Sequence, residues 1–168
     1  MAKEVLIMRG LPGSGKTHWR KTNAPNAAVV SADDYHTVNG VYDFKPEKAR
    51  EAHNTCLRRF VILTVPPIPH ELVVVDNTNI SPWEIAPYYR LAEAYGYQPR
   101  IINCICPLKV CKKRGLHGVP DSTYESMEHR YHYDWDTRPK WWKVEDVTTG
   151  TVEDLMELDE SRKPCFTL

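Results

Sequence analysis

The sequence has no long hydrophobic run, no excess charge of either sign and few cysteines. No apolar stretch approaches the roughly 20 residues of a membrane-spanning helix, and no signal peptide is visible at the N-terminus. The 22 basic and 22 acidic residues cancel, so no global field attracts the chain to nucleic acid or to a membrane. These absences predict a cytoplasmic protein with no membrane partner. Any polyanion that it binds would have to be held by a local patch of positive charge.

The five cysteines are an odd number, and their spacing matches no zinc-binding pattern. Cys104 and Cys106 would share one face of a strand, with Cys111 a few residues further on, so a metal site is one interpretation. Reduced thiols packed in a core are the interpretation that the sequence favours.

A length of 168 residues, with 42% hydrophobic and 26% charged residues, predicts one globular domain with a substantial core. Apolar segments that suit buried strands alternate along the chain with segments of helical periodicity. The predicted strands lie at about 4–9, 27–31, 71–76 and 100–106. This alternation predicts an α/β fold in which helices cover both faces of a parallel sheet.

Capping patterns and a change of pattern mark the ends of the predicted elements. Ser81-Pro82-Trp83-Glu84 and Ser122-Thr123-Tyr124-Glu125 are both capping boxes that predict helix starts, and Gly96 is expected to end the first of these helices. We predict one domain over residues 1–134, with a lid around 112–120. Residues 135–168 are predicted to be an extension that packs on the same domain.

Residues 10–17 read Gly-Leu-Pro-Gly-Ser-Gly-Lys-Thr, a complete Walker A loop between an apolar strand and a helix start. Glycines there let successive backbone amides point inward and cradle phosphate oxygens. Lys16 would reach the β- and γ-phosphates, and the Thr17 hydroxyl would ligate Mg²⁺. The residues predicted to bind a nucleoside triphosphate are Pro12, Gly13, Ser14, Gly15, Lys16 and Thr17.

Acidic residues follow two of the predicted strands, at the sheet edge where ligands of open α/β sheets bind. Asp33 is predicted to be the general base that takes a hydroxyl proton, on a strand expected to neighbour the loop strand. Its neighbour Asp34 is predicted to be structural. Asp76 ends an apolar run, as a Walker B aspartate does, and is predicted to help hold Mg²⁺.

A basic run precedes a glycine-containing loop, in the order Lys109, Lys112, Lys113, Arg114 and then His117-Gly118. A solvated basic face is one interpretation of this run. The other is a lid that closes over the triphosphate and supplies a cation to the transition state. We assign that catalytic role to Arg114, with Lys113 the next candidate.

Three tryptophans mark the predicted extension, and a possible edge strand follows them. Packing onto the domain is the favoured interpretation of Trp135, Trp141 and Trp142. Stacking on nucleobases is the alternative.

Four segments in order carry a resemblance to a known family: residues 10–17, Ser31-Ala32-Asp33-Asp34-Tyr35, residues 75–79 and residues 113–120. Together they resemble the phage-type polynucleotide 5′-hydroxyl kinases. They are equally similar to a related kinase-like domain attached to a ubiquitin-ligase-binding protein in animals. The resemblance spans about residues 4–134 and implies a three-layer, adenylate-kinase-like P-loop kinase fold with a short helical lid.

The resemblance also implies ATP and Mg²⁺ as cofactors and a nucleic-acid 5′ end, RNA or DNA, as the acceptor. Lys16 and Thr17 match the phosphate and metal contacts, Asp33 the general base and Arg114 a lid arginine. The chain departs from the family at His36, where the phage enzymes have an acceptor-side arginine, and in its shorter lid. No obligate protein partner is evident.

Two other functions fit the same residues. One is a kinase of a small hydroxylated molecule on the same scaffold, because fold does not determine substrate. The other is a nucleotide-binding module that transfers nothing. The combination of Lys16, Asp33 and Asp76 favours transfer, because a protein that only binds a nucleotide needs no base.

Overall fold

Short apolar segments pair into a parallel sheet in the computed structural model, which describes residues 2–67, 69–115 and 118–150 apart from the side chain of Val38. In chain order the strands are β1 (Glu4–Arg9), β2 (Ala28–Val30), β3 (Thr37–Val38), β4 (Val41–Tyr42), β5 (Leu72–Val75), β6 (Gln98–Ile105) and β7 (Val144–Thr148). The sheet has the order β2-β5-β1-β6-β7 with every pairing parallel, and β3 and β4 form a separate antiparallel hairpin.

Helices connect these strands. They are α1 (Lys16–Asn23), α2 (Ala49–Thr64), α3 (Pro82–Ala94), α4 (Leu108–Arg114) and α5 (Asp121–Tyr133). Short 3-10 turns lie at Ala32–His36, Pro46–Lys48 and Asp134–Thr137.

Strand β1 is buried on both faces, as its uninterrupted apolar sequence predicts. Val5 and Ile7 face a core built with α2 and α3, whereas Leu6 and Met8 face a smaller core that includes Trp19 of α1. Each buried aliphatic side chain of this kind contributes about 1.5–3 kcal/mol to folding. The predicted layering, with helices on both faces of a parallel sheet, is confirmed.

The start and end of α3 follow the predicted capping chemistry. The Glu84 carboxylate accepts a hydrogen bond of 2.7 Å from the Ser81 N–H, and Pro82 occupies the first helical position. Gly96, with φ +79°, lies just beyond the last turn.

The second predicted capping box was wrong. Helix α5 begins at Asp121, with Pro120 in the N-cap position, so Ser122 already lies inside the helix. Lys112 of α4 forms ion pairs of 3.1 Å with Asp121 and 3.9 Å with Glu125, so these carboxylates link two helices.

The expected neighbourhood of β2 and β1 was also wrong, because β5 lies between them. Helix α2 carries the chain from the end of β2 back to the start of β5, and β5 inserts beside β1. The strand tip that carries Asp33 is therefore two strands away from the phosphate loop.

Beyond residue 134 the chain joins the same sheet, with β7 as the edge strand beside β6. The ring of Trp142 stacks on Tyr89 at 5.0 Å, and Trp135 lies over the guanidinium of Arg9, so packing is confirmed for these two tryptophans. Trp141 is 64% exposed. A domain division at residue 134 stays a prediction, and residues 151–168 of the predicted extension lie outside the described residues. Within the described ranges, no helix is long and apolar enough to cross a bilayer.

Candidate active site

The loop between β1 and α1 needs glycine for both conformation and contact. Gly15 has φ +85° and immediately precedes α1. Gly13 has φ +80°, and a Cβ placed on it would lie 2.2 Å from the carbonyl oxygen of Cys111. The loop can therefore approach α4 this closely only because position 13 carries no side chain.

Hydrogen bonds fix the middle of the loop. The Ser14 N–H donates to the Leu11 carbonyl oxygen at 3.0 Å, and the Thr149 hydroxyl, just after β7, donates to the Ser14 carbonyl oxygen. The Ser14 Oγ is buried and has no hydrogen-bond partner within the described part of the chain. The edge strand thus supports the loop from one side, a contact that the sequence did not predict.

Lys16 is folded against the loop. Its Nζ donates to the carbonyl oxygens of Gly10 at 2.9 Å and Leu11 at 2.8 Å, and the residue is 9% exposed. Burial lowers the pKa of Lys16, while the nearby Asp76 carboxylate acts in the opposite direction. The ammonium is thereby kept at the loop and largely out of water.

Asp76 follows β5 and accepts contacts from two side chains of α1 at the same oxygen, Oδ2. The Thr17 hydroxyl lies 3.3 Å away and the Arg20 Nε lies 3.0 Å away. The predicted Thr17–Asp76 pair is therefore brought together. Arg20 was not predicted from the sequence, in which its only signal is its place one helical turn after Thr17.

Asp33 and Asp34 lie in the 3-10 turn after β2 and have different partners. The Tyr42 hydroxyl donates to Asp33 Oδ1 at 3.3 Å, whereas Arg59 of α2 donates to Asp34 Oδ2 at 2.7 Å. The Ser31 hydroxyl accepts from the Asp33 N–H at 3.2 Å and donates to the main-chain oxygen of Asp76 at 3.0 Å. This hydroxyl joins the tips of β2 and β5, so the turn that carries Asp33 is anchored to the sheet.

Most of the predicted site residues line one cavity of about 770 Å³. Its walls include loop residues 12–13 and 15–17, together with Asp33, Asp76 and Arg114. Ser14 is the predicted loop residue that does not line it. The predicted base, metal ligand and lid arginine thus face the same space as the loop.

A second cavity of about 610 Å³ adjoins the first and shares Gly15, His18 and Arg114 with it. It extends along α1 past Trp19 and reaches residues 147–150 at the end of β7. The sequence carries no motif for this space, because its walls come from three segments that are distant in the chain, at residues 15–23, 114 and 147–150.

On the side of Asp33, the first cavity is walled by aromatic rings from the β3–β4 hairpin and the residues around it. His36 is 5% exposed, and its ring lies 6.2 Å from that of Tyr42 and 4.9 Å from that of Phe44. Phe44 is 51% exposed. The sequence predicted no strands here, because two-residue strands leave almost no periodicity to detect.

The described part of the predicted lid is tied to α5 at its base. Lys112 forms the ion pairs with Asp121 and Glu125 noted above, so it belongs to the helix contact rather than to the cavity. Arg114 lines both cavities. His117 lies outside the described residues, and closure of the lid stays a prediction.

The cysteines that the structure describes are free thiols, which confirms the interpretation as reduced thiols for Cys56, Cys104, Cys106 and Cys111. Burial raises the pKa of the Cys104 thiol to about 11. Among the described residues, no group of three histidine, cysteine or acidic side chains could hold a metal ion. Cys165 lies outside that part of the chain.

Arg9, at the end of β1, is a fully buried cation that sequence analysis missed. Its guanidinium lies 3.8 Å from the ring centroids of both Tyr131 and Trp135 and donates to the Asn103 side chain at 2.7 Å. It also donates to the main-chain oxygens of Ile80 and Tyr131. Burial lowers its pKa to about 10, and the cation joins four segments immediately before the phosphate loop.

A parallel sheet with helices on both faces and a glycine-rich loop between β1 and α1 defines a P-loop kinase-like fold. The family model for the AAA domain matches residues 5–116, and the chain belongs to that family. Human NEDD4-binding protein 2 is 31% identical over 139 residues, which cover 76% of this chain and 8% of that protein. The chain therefore spans less than a tenth of this relative's length.

Solved structures share the fold. The complex of AvrRxo1-ORF1 and AvrRxo1-ORF2 with ATP gives a TM-score of 0.67 at 16% identity, covering 99% of this chain and 65% of that chain. A candidate kinase from Chloroflexus aurantiacus gives a TM-score of 0.63 at 14% identity, covering 98% of this chain and 100% of that chain. At these identities the likeness shows the α/β fold, and membership of the polynucleotide kinase family stays a prediction.

Proposed function

We propose that the protein is an ATP-dependent phosphotransferase that moves the γ-phosphate to the 5′-hydroxyl of a nucleic acid. The observation that carries the proposal is the shared cavity, in which the Asp33 carboxylate and the phosphate loop face the same space. A carboxylate can accept the proton of an alcohol acceptor, and a glycine-rich loop of this kind binds the phosphates of a nucleoside triphosphate.

The residues present fit both ATP and Mg²⁺. The loop takes left-handed turns at Gly13 and Gly15 directly before α1, a conformation in which backbone amides can point at phosphate oxygens. The adjoining cavity along α1 offers a nucleoside a place next to the phosphates. The Thr17 hydroxyl and the Asp76 carboxylate are hard oxygen donors of the kind that Mg²⁺ prefers, and the bound ion would neutralise charge on the β- and γ-phosphates.

In the proposed reaction Asp33 orients the acceptor hydroxyl and accepts its proton. The acceptor oxygen forms a bond to the γ-phosphorus, the bond between this phosphorus and the β–γ bridging oxygen breaks, and ADP leaves. Lys16 and Arg114 stabilise the negative charge on the transferring group. Arg20 keeps the Asp76 carboxylate oriented toward α1.

The choice of a nucleic-acid acceptor rests on the sequence resemblance. The neutral chain implies contact with few acceptor phosphates, and therefore a modest dependence of binding on salt. A small hydroxylated acceptor on the same scaffold is the competing function.

The test is a transfer assay with γ-labelled ATP and Mg²⁺. Parallel reactions contain a single-stranded oligonucleotide with a free 5′-hydroxyl, the same oligonucleotide already phosphorylated at its 5′ end, a nucleoside, or buffer. Label on the 5′-hydroxyl oligonucleotide alone is expected.

The other outcomes separate the alternatives. Label on the nucleoside and not on the oligonucleotide would replace the proposal with a small-molecule kinase. Binding of ATP without any labelled product would leave a nucleotide-binding module. Equal labelling of the two oligonucleotides would show that the 5′-hydroxyl is not the acceptor.

A further inference from the structure

The wall of the cavity beside Asp33 is built from rings. His36 lies buried at the bottom of this wall, and the rings of Tyr42 and Phe44 pack against the His36 ring. Phe44 remains half exposed although it lines the cavity. The Phe44 ring is therefore accessible to a molecule that enters the cavity.

This aromatic wall, formed by His36, Tyr42 and Phe44, is connected to the carboxylate. The Tyr42 hydroxyl donates to Asp33 Oδ1 at 3.3 Å, and the Thr37 hydroxyl donates to the Asp33 main-chain oxygen at 3.0 Å. The Asp43 N–H donates to the His36 main-chain oxygen at 2.8 Å, which closes the hairpin. A hydroxyl placed at Asp33 therefore brings its attached group against the rings.

Cationic side chains are distributed unevenly around the same cavity. Among its described lining residues, the lysine and arginines are Lys16, Arg20 and Arg114, which come from the phosphate loop, α1 and α4. Two further basic residues close to the aromatic wall are paired, with Lys45 3.2 Å from Asp43 and Arg59 2.7 Å from Asp34. Among the described lining residues, the acceptor side thus presents rings rather than a lysine or an arginine.

Building on the proposed function, we infer that the nucleobase of the acceptor's 5′-terminal nucleotide stacks on Phe44 while its 5′-hydroxyl meets Asp33. Aromatic side chains bind bases through their faces, and every base has such a face, so the contact is tolerant of sequence. His36 holds the Phe44 ring in place, and Tyr42 packs against the same His36 ring. Recognition by stacking explains how a chain without net positive charge selects the end of a nucleic acid.

The experiment compares two acceptors that differ only in the terminal base. One is an oligonucleotide with a 5′-hydroxyl and an intact first nucleotide, and the other has an abasic first nucleotide with the same 5′-hydroxyl. Steady-state kinetics are measured for the unaltered protein, Phe44→Ala, Phe44→Trp and Trp83→Ala. Trp83 is the matched control, because it is an exposed aromatic residue that lines neither cavity.

We expect KM for the base-bearing acceptor to rise about tenfold in Phe44→Ala, with little change in kcat and no change in KM for ATP. The abasic acceptor has the high KM already and is not affected further by this variant. Phe44→Trp keeps the low KM, and Trp83→Ala behaves as the unaltered protein. Equal responses of the two acceptors to Phe44→Ala would overturn the inference while transfer itself continued.

A binding measurement keeps the stacking contact testable if no oligonucleotide is phosphorylated. The probe is an oligonucleotide that carries 2-aminopurine at its 5′ end, whose fluorescence is quenched when the base stacks. Quenching by the unaltered protein that is lost in Phe44→Ala supports stacking. Absence of quenching overturns it, whereas absence of labelled product overturns the proposed reaction, so the two failures are distinct.

Discussion

The Arg20 guanidinium holds the Asp76 carboxylate from a distance of 3.0 Å, with the two side chains 17% and 9% exposed. This pair joins the second turn of α1 to the tip of β5, directly beside the phosphate loop. Because the same carboxylate oxygen also receives the Thr17 hydroxyl, the proposed metal ligands lie in a network that includes a permanent positive charge.

Loss of Arg20 is expected to make stability dependent on the nucleotide and its metal. Arg20→Ala should lower the free energy of unfolding by about 2 kcal/mol, between the values for exposed and fully buried pairs. Saturating Mg²⁺ with ADP should reduce that loss, because the divalent ion supplies positive charge next to Asp76. Urea denaturation measures both values, with the exposed Arg58→Ala as the control. A loss of equal size with and without Mg²⁺–ADP would contradict the metal role of Asp76.

The two aspartates of the 3-10 turn should differ in their effect on transfer. Asp33→Asn is expected to reduce kcat by at least about 10²-fold, within the range of general base catalysis, and to leave ATP affinity nearly unchanged. Asp34→Asn is the matched variant, because Asp34 pairs with Arg59, and it should keep most of the activity. Single-turnover transfer and equilibrium binding of an ATP analogue measure the two effects. A similar loss of transfer in both variants would mean that the base is misassigned.

Steric contact at Gly13 should matter more than its backbone conformation. Gly13→Ala and Gly96→Ala impose a side chain at nearly the same φ, +80° and +79°. A Cβ at Gly13 meets the Cys111 main chain, whereas a Cβ at Gly96 meets nothing within 4 Å. Both variants should lose about 1–2 kcal/mol of stability from the left-handed conformation. Only Gly13→Ala should also lose ATP binding, as calorimetric titration would show.

Lys16 should give the protein a distinct stability profile at alkaline pH. Because burial lowers the pKa of Lys16, the unfolded chain binds more protons between that pKa and the ordinary lysine value of about 10.4. In this window the contribution of Lys16 to the free energy of unfolding rises with pH. Lys16→Met removes that contribution, so the stability difference between the two proteins should change with pH there. A difference that stays constant with pH would contradict a lowered pKa, and Lys16→Met should abolish transfer at every pH.

Arg9 is expected to be essential for folding without taking part in the reaction. Arg9→Met should destabilise the protein by about 3–5 kcal/mol, because it removes the Arg9 donor from the buried carbonyl oxygens of Ile80 and Tyr131 and one of the two hydrogen bonds to Asn103 Oδ1. Arg9→Lys should restore only part of this, because an ammonium lacks the planar fork that lies between two rings. Chemical denaturation compares them with the exposed Arg90→Ala. A loss below about 1 kcal/mol in Arg9→Met would show that the core repacks around the missing cation.

The sequence predicted those parts of the molecule whose signals are local. The β1 strand, the loop at residues 10–17 and the start of α3 each depend on contacts within a few residues, so composition and spacing were sufficient. Asp33 and Asp76 line one cavity, as expected from the meeting of the carboxyl ends of parallel strands at one edge of the sheet, and their roles stay predictions.

The parts that the sequence did not predict depend on contacts between distant residues. Arg20 and Asp76 are 56 positions apart, and Arg9 reaches Tyr131 across 122 positions. The order of β2, β5 and β1 depends on how α2 packs, which hydrophobic periodicity does not encode. The β3–β4 hairpin was missed because each of its strands has only two residues.

The insertion of β5 between β2 and β1 sets the distance between the phosphate loop and Asp33 in the proposed reaction. Neighbouring strands lie about 4.8 Å apart, so two intervals separate the loop strand from the strand that leads to Asp33 by about 10 Å. A terminal phosphoryl group and an incoming alcohol must both fit within that width. Asp76 follows β5 and therefore lies midway across it. Any rearrangement that brought β2 directly beside β1 would halve the gap, and the donor and acceptor could no longer be accommodated in line.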